Sequence, residues 1–180
     1  MGLVHIYHGT GKGKTTAAVG LAVRSIGAGH KVLFQQYLKD GTSSELKVLE
    51  SLGIEVESGM PEEASDFLWN LTEAQKDILK DFQNHRAQKA LAWIREMGDE
   101  TGGLLVMDET LASLDFKVLD FSLLEEIIEE VHAQAKGPDV VLTGRNPSDA
   151  LLLYADYITN MAMVRHPFEQ GQEARLGIEF

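Results

Sequence analysis

The stretch His8-Gly9-Thr10-Gly11-Lys12-Gly13-Lys14-Thr15-Thr16 constrains this chain more than any other feature. It falls between a short apolar run and a helical pattern, so it is a strand–loop–helix connection. Closely spaced glycines reach positive φ at little cost, which lets consecutive backbone N–H groups turn inward. The start of the following helix adds its own N–H groups and the positive end of its dipole, which together make an anion site. The phosphate-loop pattern G-x-x-x-x-G-K-[ST] is met by Gly13, Lys14 and Thr15, with His8 at the place of the first glycine. On this pattern Gly9, Thr10, Gly11, Lys12, Gly13, Lys14, Thr15 and Thr16 cradle a nucleotide. Lys14 reaches terminal phosphate oxygens, and the Thr15 hydroxyl ligates Mg²⁺.

The rest of the chain agrees with such a fold. Short apolar runs alternate with helical patterns, which predicts a three-layer α/β protein with a mostly parallel sheet. Strands are expected at Leu3 to Tyr7, Lys31 to Tyr37, Ile54 to Glu57, Leu104 to Met107, Val140 to Thr143 and Tyr157 to Val164. Helices are expected over Lys14 to Ile26, from about Ser44 to Gly53, and from the capping box Thr72-Glu73-Ala74-Gln75 to about Met97. A second capping box, Ser122-Leu123-Leu124-Glu125, predicts a helix that stops at Gly137-Pro138. Pro147 suits the first turn of a further helix. The irregular stretch Ser58 to Asn70 carries Phe67 and Trp69, which by spacing alone read as aromatics packed under a loop. No repeat or linker interrupts the chain, so its 180 residues are expected to form one domain, 1–180.

Two strand ends supply the remaining chemistry. Asp108-Glu109 follows the apolar run Leu-Leu-Val-Met, and beside a phosphate loop such a pair holds magnesium directly or through water. Arg145 ends the fifth strand, at the edge where α/β sheets bind ligands. It is a triphosphate contact or a surface ion pair. Lys14, Glu109 and Arg145 are therefore the catalytic candidates, and Thr15, Asp108 and Glu109 the metal candidates. Composition excludes several alternatives. The formal charge of −12 argues against a general nucleic-acid binder, which needs a basic face. There is no cysteine, so thiolate catalysis, cysteine-ligated zinc and cysteine-held iron–sulfur clusters drop out. Neither a secretory leader nor a membrane-spanning run is visible, and a cytoplasmic protein is expected.

Taken in order, these motifs resemble those of the phosphate-loop, cobinamide-type ATP:cob(I)alamin adenosyltransferases. The loop Gly9 to Thr16 is similar to that family's G-N-G-K-G-K-T-T. So are Gln36-Tyr37-Leu38-Lys39, Phe67-Leu68-Trp69 against F-x-W, Met107-Asp108-Glu109-Thr110-Leu111, Leu142-Thr143-Gly144-Arg145, and the tail Leu176-Gly177-Ile178-Glu179-Phe180. The resemblance implies a RecA-like fold and a homodimer. It implies transfer of the 5′-deoxyadenosyl group of ATP to the cobalt of a reduced corrinoid, with Mg²⁺ as cofactor and triphosphate as co-product. It places Phe67 and Trp69 against the lower face of the corrin. Without cysteine to supply the electron that makes Co(I), a separate reductant, a flavoprotein, is implied. Two other readings use the same loop: an ATPase or nucleotide kinase, and a nucleotide-sensing or corrinoid-binding module without turnover.

Overall fold

The computed structural model describes residues 1–66, 68–98 and 102–178. Six strands form one sheet: β1 (Val4–His8), β2 (Lys31–Gln36), β3 (Glu55–Glu57), β4 (Gly103–Asp108), β5 (Asp139–Thr143) and β6 (Tyr157–Asn160). Their order is β3-β2-β4-β5-β1-β6, and every neighbouring pair is parallel. The mostly parallel sheet expected from the sequence is thus wholly parallel. Parallel strands are covered on both faces, which explains why β4 is buried along its whole length and reads as an unbroken apolar run.

The helices are α1 (Lys14–Gly27), α2 (Leu46–Ser51), α3 (Glu73–Met97), α4 (Thr110–Asp115), α5 (Phe121–Ala133) and α6 (Asp149–Leu152). On one face, Ala87, Ala90 and Ile94 of α3 and Leu124, Ile127 and Ile128 of α5 pack over Ile6, Leu33, Leu105 and Leu142. On the other, Ala18 and Ala22 of α1 and Leu49 of α2 pack over Val32, Phe34, Val106 and Val141. Small alanines let α1 sit close to the sheet, so its first turn stays level with the strand ends. The result is the three-layer α/β architecture expected. Among the described residues no helix is long and apolar enough to cross a membrane.

The capping box of α3 forms as its sequence predicts. Gln75 N donates to Thr72 Oγ1 at 3.3 Å, and Thr72 N donates back to Gln75 Oε1 at 3.0 Å. The second capping box does not form. Helix α5 begins at Phe121 with Asp120 as its N-cap and no side-chain cap bond. The Asp120 carboxylate is taken by α3 instead, with Lys80 Nζ at 2.6 Å and Asn84 Nδ2 donating at 2.7 Å. The same helix ends at Ala133 rather than Gly137, because Gln134 turns extended and its Nε2 donates to the Ile94 carbonyl at 3.0 Å. Pro147 lies outside α6, whose cap is Ser148, its hydroxyl accepting from Leu151 N at 3.2 Å. Strand β6 stops at Asn160, well short of Val164. Its partner β1 ends at His8, opposite Asn160, which leaves no ladder to continue.

Candidate functional site

The C-terminal ends of β1, β4 and β5 converge around the glycine-rich loop. Gly9 and Gly13 take φ of +116° and +112°, values that a residue with a Cβ adopts only under strain. A Cβ on Gly9 would also lie 2.6 Å from the Met161 carbonyl oxygen, so the approach of the chain after β6 demands glycine there. That segment fixes the loop from outside: Gly11 N donates to the Met161 carbonyl at 2.7 Å, and Gly9 N to the Arg145 carbonyl at 3.3 Å. His8 at the first-glycine place costs nothing, because it is still the last residue of β1 and Gly9 makes the turn.

Between β1 and β4 lies β5, so the ends of β1 and β4 are two strand spacings apart, about 10 Å. Thr143, at the end of β5, stands between them. Its Oγ1 donates to Asp108 Oδ1 at 2.7 Å and accepts from Glu109 N at 2.9 Å. Thr15 Oγ1, in the first turn of α1, donates to the same Oδ1 at 2.8 Å. Asp108 is fully buried. Its other oxygen, Oδ2, receives no aligned hydrogen bond among the described residues. It faces Lys39 Nζ at 2.9 Å as an ion pair. Glu109 caps α4 in the left-handed region, at φ +62°. That turn sends the chain away while its carboxylate stays at the strand end.

Lys14, Glu109, Asp108 and Arg145 form one electrostatic group. Burial pulls the Lys14 ammonium below the ordinary lysine range, Glu109 and Asp108 oppose that shift, and Arg145 adds to it. Burial pushes the Glu109 carboxyl up, and the neighbouring Asp108 pushes it further, against Lys39, Lys14 and Arg145. Lys14 Nζ donates to the Gly11 carbonyl at 2.8 Å, folded over its own loop. Lys12 Nζ donates to the Ile178 carbonyl at 2.6 Å, which brings the C-terminal segment across the loop.

A cleft of about 890 Å³ opens beside this group. Thr15, Thr16, Leu68, Trp69, Gly177 and Ile178 are among the residues that line it. Its size is near the top of the ~300–1,000 Å³ range of small-ligand sites. Trp69 is 75% exposed, so it is not packed under a loop as its spacing alone suggests. Phe67 lies outside the described residues. The remaining candidates are all brought to this one edge of the sheet.

Three residues were given no role by the sequence. Thr143 and Lys39 belong to strand ends that the motifs already quote, and strand order alone brings them to Asp108. Arg86 carried no signal, being one cation on the face of α3. It is buried, donates to the carbonyls of Gln36 and of Gly59 (2.9 Å to Gly59), and so ties the end of β2 to the segment leading to Trp69.

Comparison with known proteins decides the family. The model of the family described as ATP:corrinoid adenosyltransferase BtuR/CobO/CobP matches residues 1–180. The chain belongs to this family. It is similar to the corrinoid adenosyltransferase of Pseudomonas aeruginosa, 31% identical over 99% of this chain and 84% of the relative. The corrinoid adenosyltransferases of Escherichia coli and Salmonella typhimurium are 29% and 30% identical, each over 99% of this chain and 86% of the relative. As a corrinoid adenosyltransferase the chain is a transferase, and its catalytic machinery has to serve two substrates.

The donor set fits magnesium arriving with a nucleotide. Among the described residues no group of three or more acidic or histidine side chains could hold a metal alone. Magnesium binds through one or two protein groups, with water and phosphates completing its shell. The Thr15 hydroxyl donates its hydrogen bond to Asp108, which leaves its oxygen lone pairs available to a metal. Thr15→Ala is accordingly expected to raise the Mg²⁺ concentration needed for half-maximal transfer, by about tenfold for one lost ligand-orienting contact. A magnesium titration at saturating ATP measures it, and an unchanged midpoint would remove Thr15 from the metal site.

Proposed function

We propose that this chain, acting as one 180-residue domain, transfers the 5′-deoxyadenosyl group of ATP to the Co(I) centre of a reduced corrinoid, cobalamin or cobinamide, and releases triphosphate. The observation that carries the reading is a single cleft lined both by Thr15 and Thr16 of the phosphate loop and by an exposed tryptophan, Trp69. A nucleotide site and an apolar surface for a flat macrocycle then share one space.

The chemistry asks little covalent work of the protein. Co(I) is a strong nucleophile and attacks C5′ of ATP. The Co–C bond forms, the C5′–O bond breaks, and triphosphate leaves with the electron pair. No proton has to be removed, so no general base is needed. What the residues supply is position and charge. The N–H groups of the loop and of the first turn of α1 hold the phosphates. Lys14 leaves the Gly11 carbonyl for a phosphate oxygen, and Lys12 and Arg145 neutralise charge that grows as triphosphate departs. Mg²⁺, when bound, would be held by Thr15, Asp108 and Glu109 and would supply further charge neutralisation on the phosphates. Trp69, with Phe67, presents an apolar face to the corrin that excludes water and axial ligands, which makes Co(II) easier to reduce. The reading includes a flavoprotein reductant, a homodimer and a cytoplasmic location.

Incubation with ATP, Mg²⁺ and chemically reduced cobalamin tests it. The expected result is loss of the Co(I) absorbance and growth of the adenosylcobalamin spectrum. Consumption of ATP with no spectral change would favour an ATPase instead.

A further inference from the structure

Lys39 is the one cation in contact with the buried carboxylate of Asp108 among the described residues, and the loop motif does not account for it. Its placement is built. Tyr37 N donates to the Asp108 carbonyl at 2.9 Å, extending the β2–β4 pairing by one residue. Leu38 then takes φ of +54°, a left-handed conformation uncommon for a branched side chain. The half-buried Leu38 side chain packs with Met60 and Leu68 against Ala64, Leu71 and Leu79, and holds that turn. The turn returns Lys39 over the end of β4.

We propose that Lys39 is a positioning residue that occupies the metal-facing side of Asp108 until magnesium enters with the nucleotide, and then yields to it. The inference rests on the metal–nucleotide reading of the site given above. Asp108 is fully buried, and a buried carboxylate without a countercharge is strongly destabilising. Two threonine hydroxyls serve Oδ1, so the countercharge has to come at Oδ2, where Lys39 Nζ stands at 2.9 Å. That contact is an ion pair without an aligned hydrogen bond, so it is a charge held in place rather than a locked donor. A second carboxylate, Glu45 Oε1, lies 4.0 Å from the same ammonium, and both residues line the cleft. The lysine chain is flexible and its side chain is a quarter exposed, so it can move toward Glu45 or toward a bound triphosphate. Two cations cannot share the edge of one carboxylate in a buried site without strong repulsion. Metal entry is therefore coupled to an anion that accepts the displaced ammonium.

The test is Mn²⁺ binding to the full chain, read from loss of the free aqua-ion paramagnetic resonance signal, without nucleotide and with ATP. Lys39→Met removes the resident cation and is expected to bind Mn²⁺ about tenfold more tightly without nucleotide, equivalent to about 1.4 kcal/mol. It also loses part of the tightening that ATP produces in the unaltered protein. Lys39→Arg keeps the charge and stays close to the unaltered protein. Glu45→Gln removes the alternative acceptor and weakens nucleotide-free Mn²⁺ binding, a shift in the opposite direction that does not depend on how Lys39→Met folds. Unchanged or weaker Mn²⁺ binding in folded Lys39→Met, or unchanged binding in Glu45→Gln, overturns the proposal while leaving the metal–nucleotide reading in place. Failure of the unaltered protein to bind Mn²⁺ with ATP overturns both.

Discussion

Lys14→Ala is expected to lower adenosyl transfer by about 10²–10³-fold at saturating ATP, the usual loss when one preorganised charge-stabilising donor is removed. The effect belongs in kcat, because the departing triphosphate carries more charge than bound ATP and leans harder on the ammonium. Stability should change little. The bond that Lys14 makes here is to the Gly11 carbonyl, in its own loop, so its loss stays within that loop. Burial, with Glu109 and Asp108 only partly compensating, holds the ammonium below its ordinary pKa range. Wild-type transfer by a folded Lys14→Ala variant would show that the loop does not hold the triphosphate.

The second large effect concerns Trp69 and Phe67. Replacing both by alanine is expected to cripple transfer that starts from Co(II) and a mild reductant, by more than an order of magnitude. Transfer from pre-formed Co(I) should be largely spared. The distinction follows from their task, since an apolar wall that offers no donor changes the reduction of cobalt and not its nucleophilicity. Trp69→Ala alone is the safer variant for folding, because its side chain is three-quarters exposed and removing it leaves little core void. The measurement pairs the two kinetics with the spectrum of cob(II)alamin in the presence of ATP. A four-coordinate signal is expected from the unaltered protein and not from the double variant. Equal signals would return both residues to a packing role.

Much of the fold was legible because its signals are local. Unbroken apolar runs mark strands covered on both faces, and Thr72 with Gln75 marks a helix start through bonds made within one turn. Where a local signal lost, a tertiary contact had outbid it. Ser122 can cap a helix, yet Asp120 takes the N-cap position without a side-chain cap bond, because Lys80 and Asn84 of the neighbouring helix anchor it there. Gly137 can stop a helix, yet Gln134 stops it sooner by reaching the Ile94 carbonyl. Tyr157 to Val164 has the composition of a strand throughout, but a strand ends where its partner does.

The site divides the same way. The phosphate loop could be read because glycine, lysine and threonine act at fixed spacing in one turn of chain. Asp108 and Glu109 could be read as a strand end beside it. Thr143 and Lys39 could not be given roles, because their roles come from strand order and from a left-handed turn at Leu38. The insertion of β5 between β1 and β4 sets the Thr143 hydroxyl beside Asp108, and that insertion is a property of the sheet rather than of any segment. Arg86 was invisible for a similar reason: it serves two backbone carbonyls that only the fold brings together.

The central claim is that ATP gives up its adenosyl group whole and leaves its three phosphates joined. Phosphorus NMR of a reaction containing ATP, Mg²⁺ and Co(I) cobalamin tests this most directly. The account predicts triphosphate in step with adenosylcobalamin, one for one, and no ADP. ADP and inorganic phosphate in place of triphosphate would contradict it, and would make the loop that of a hydrolase or kinase.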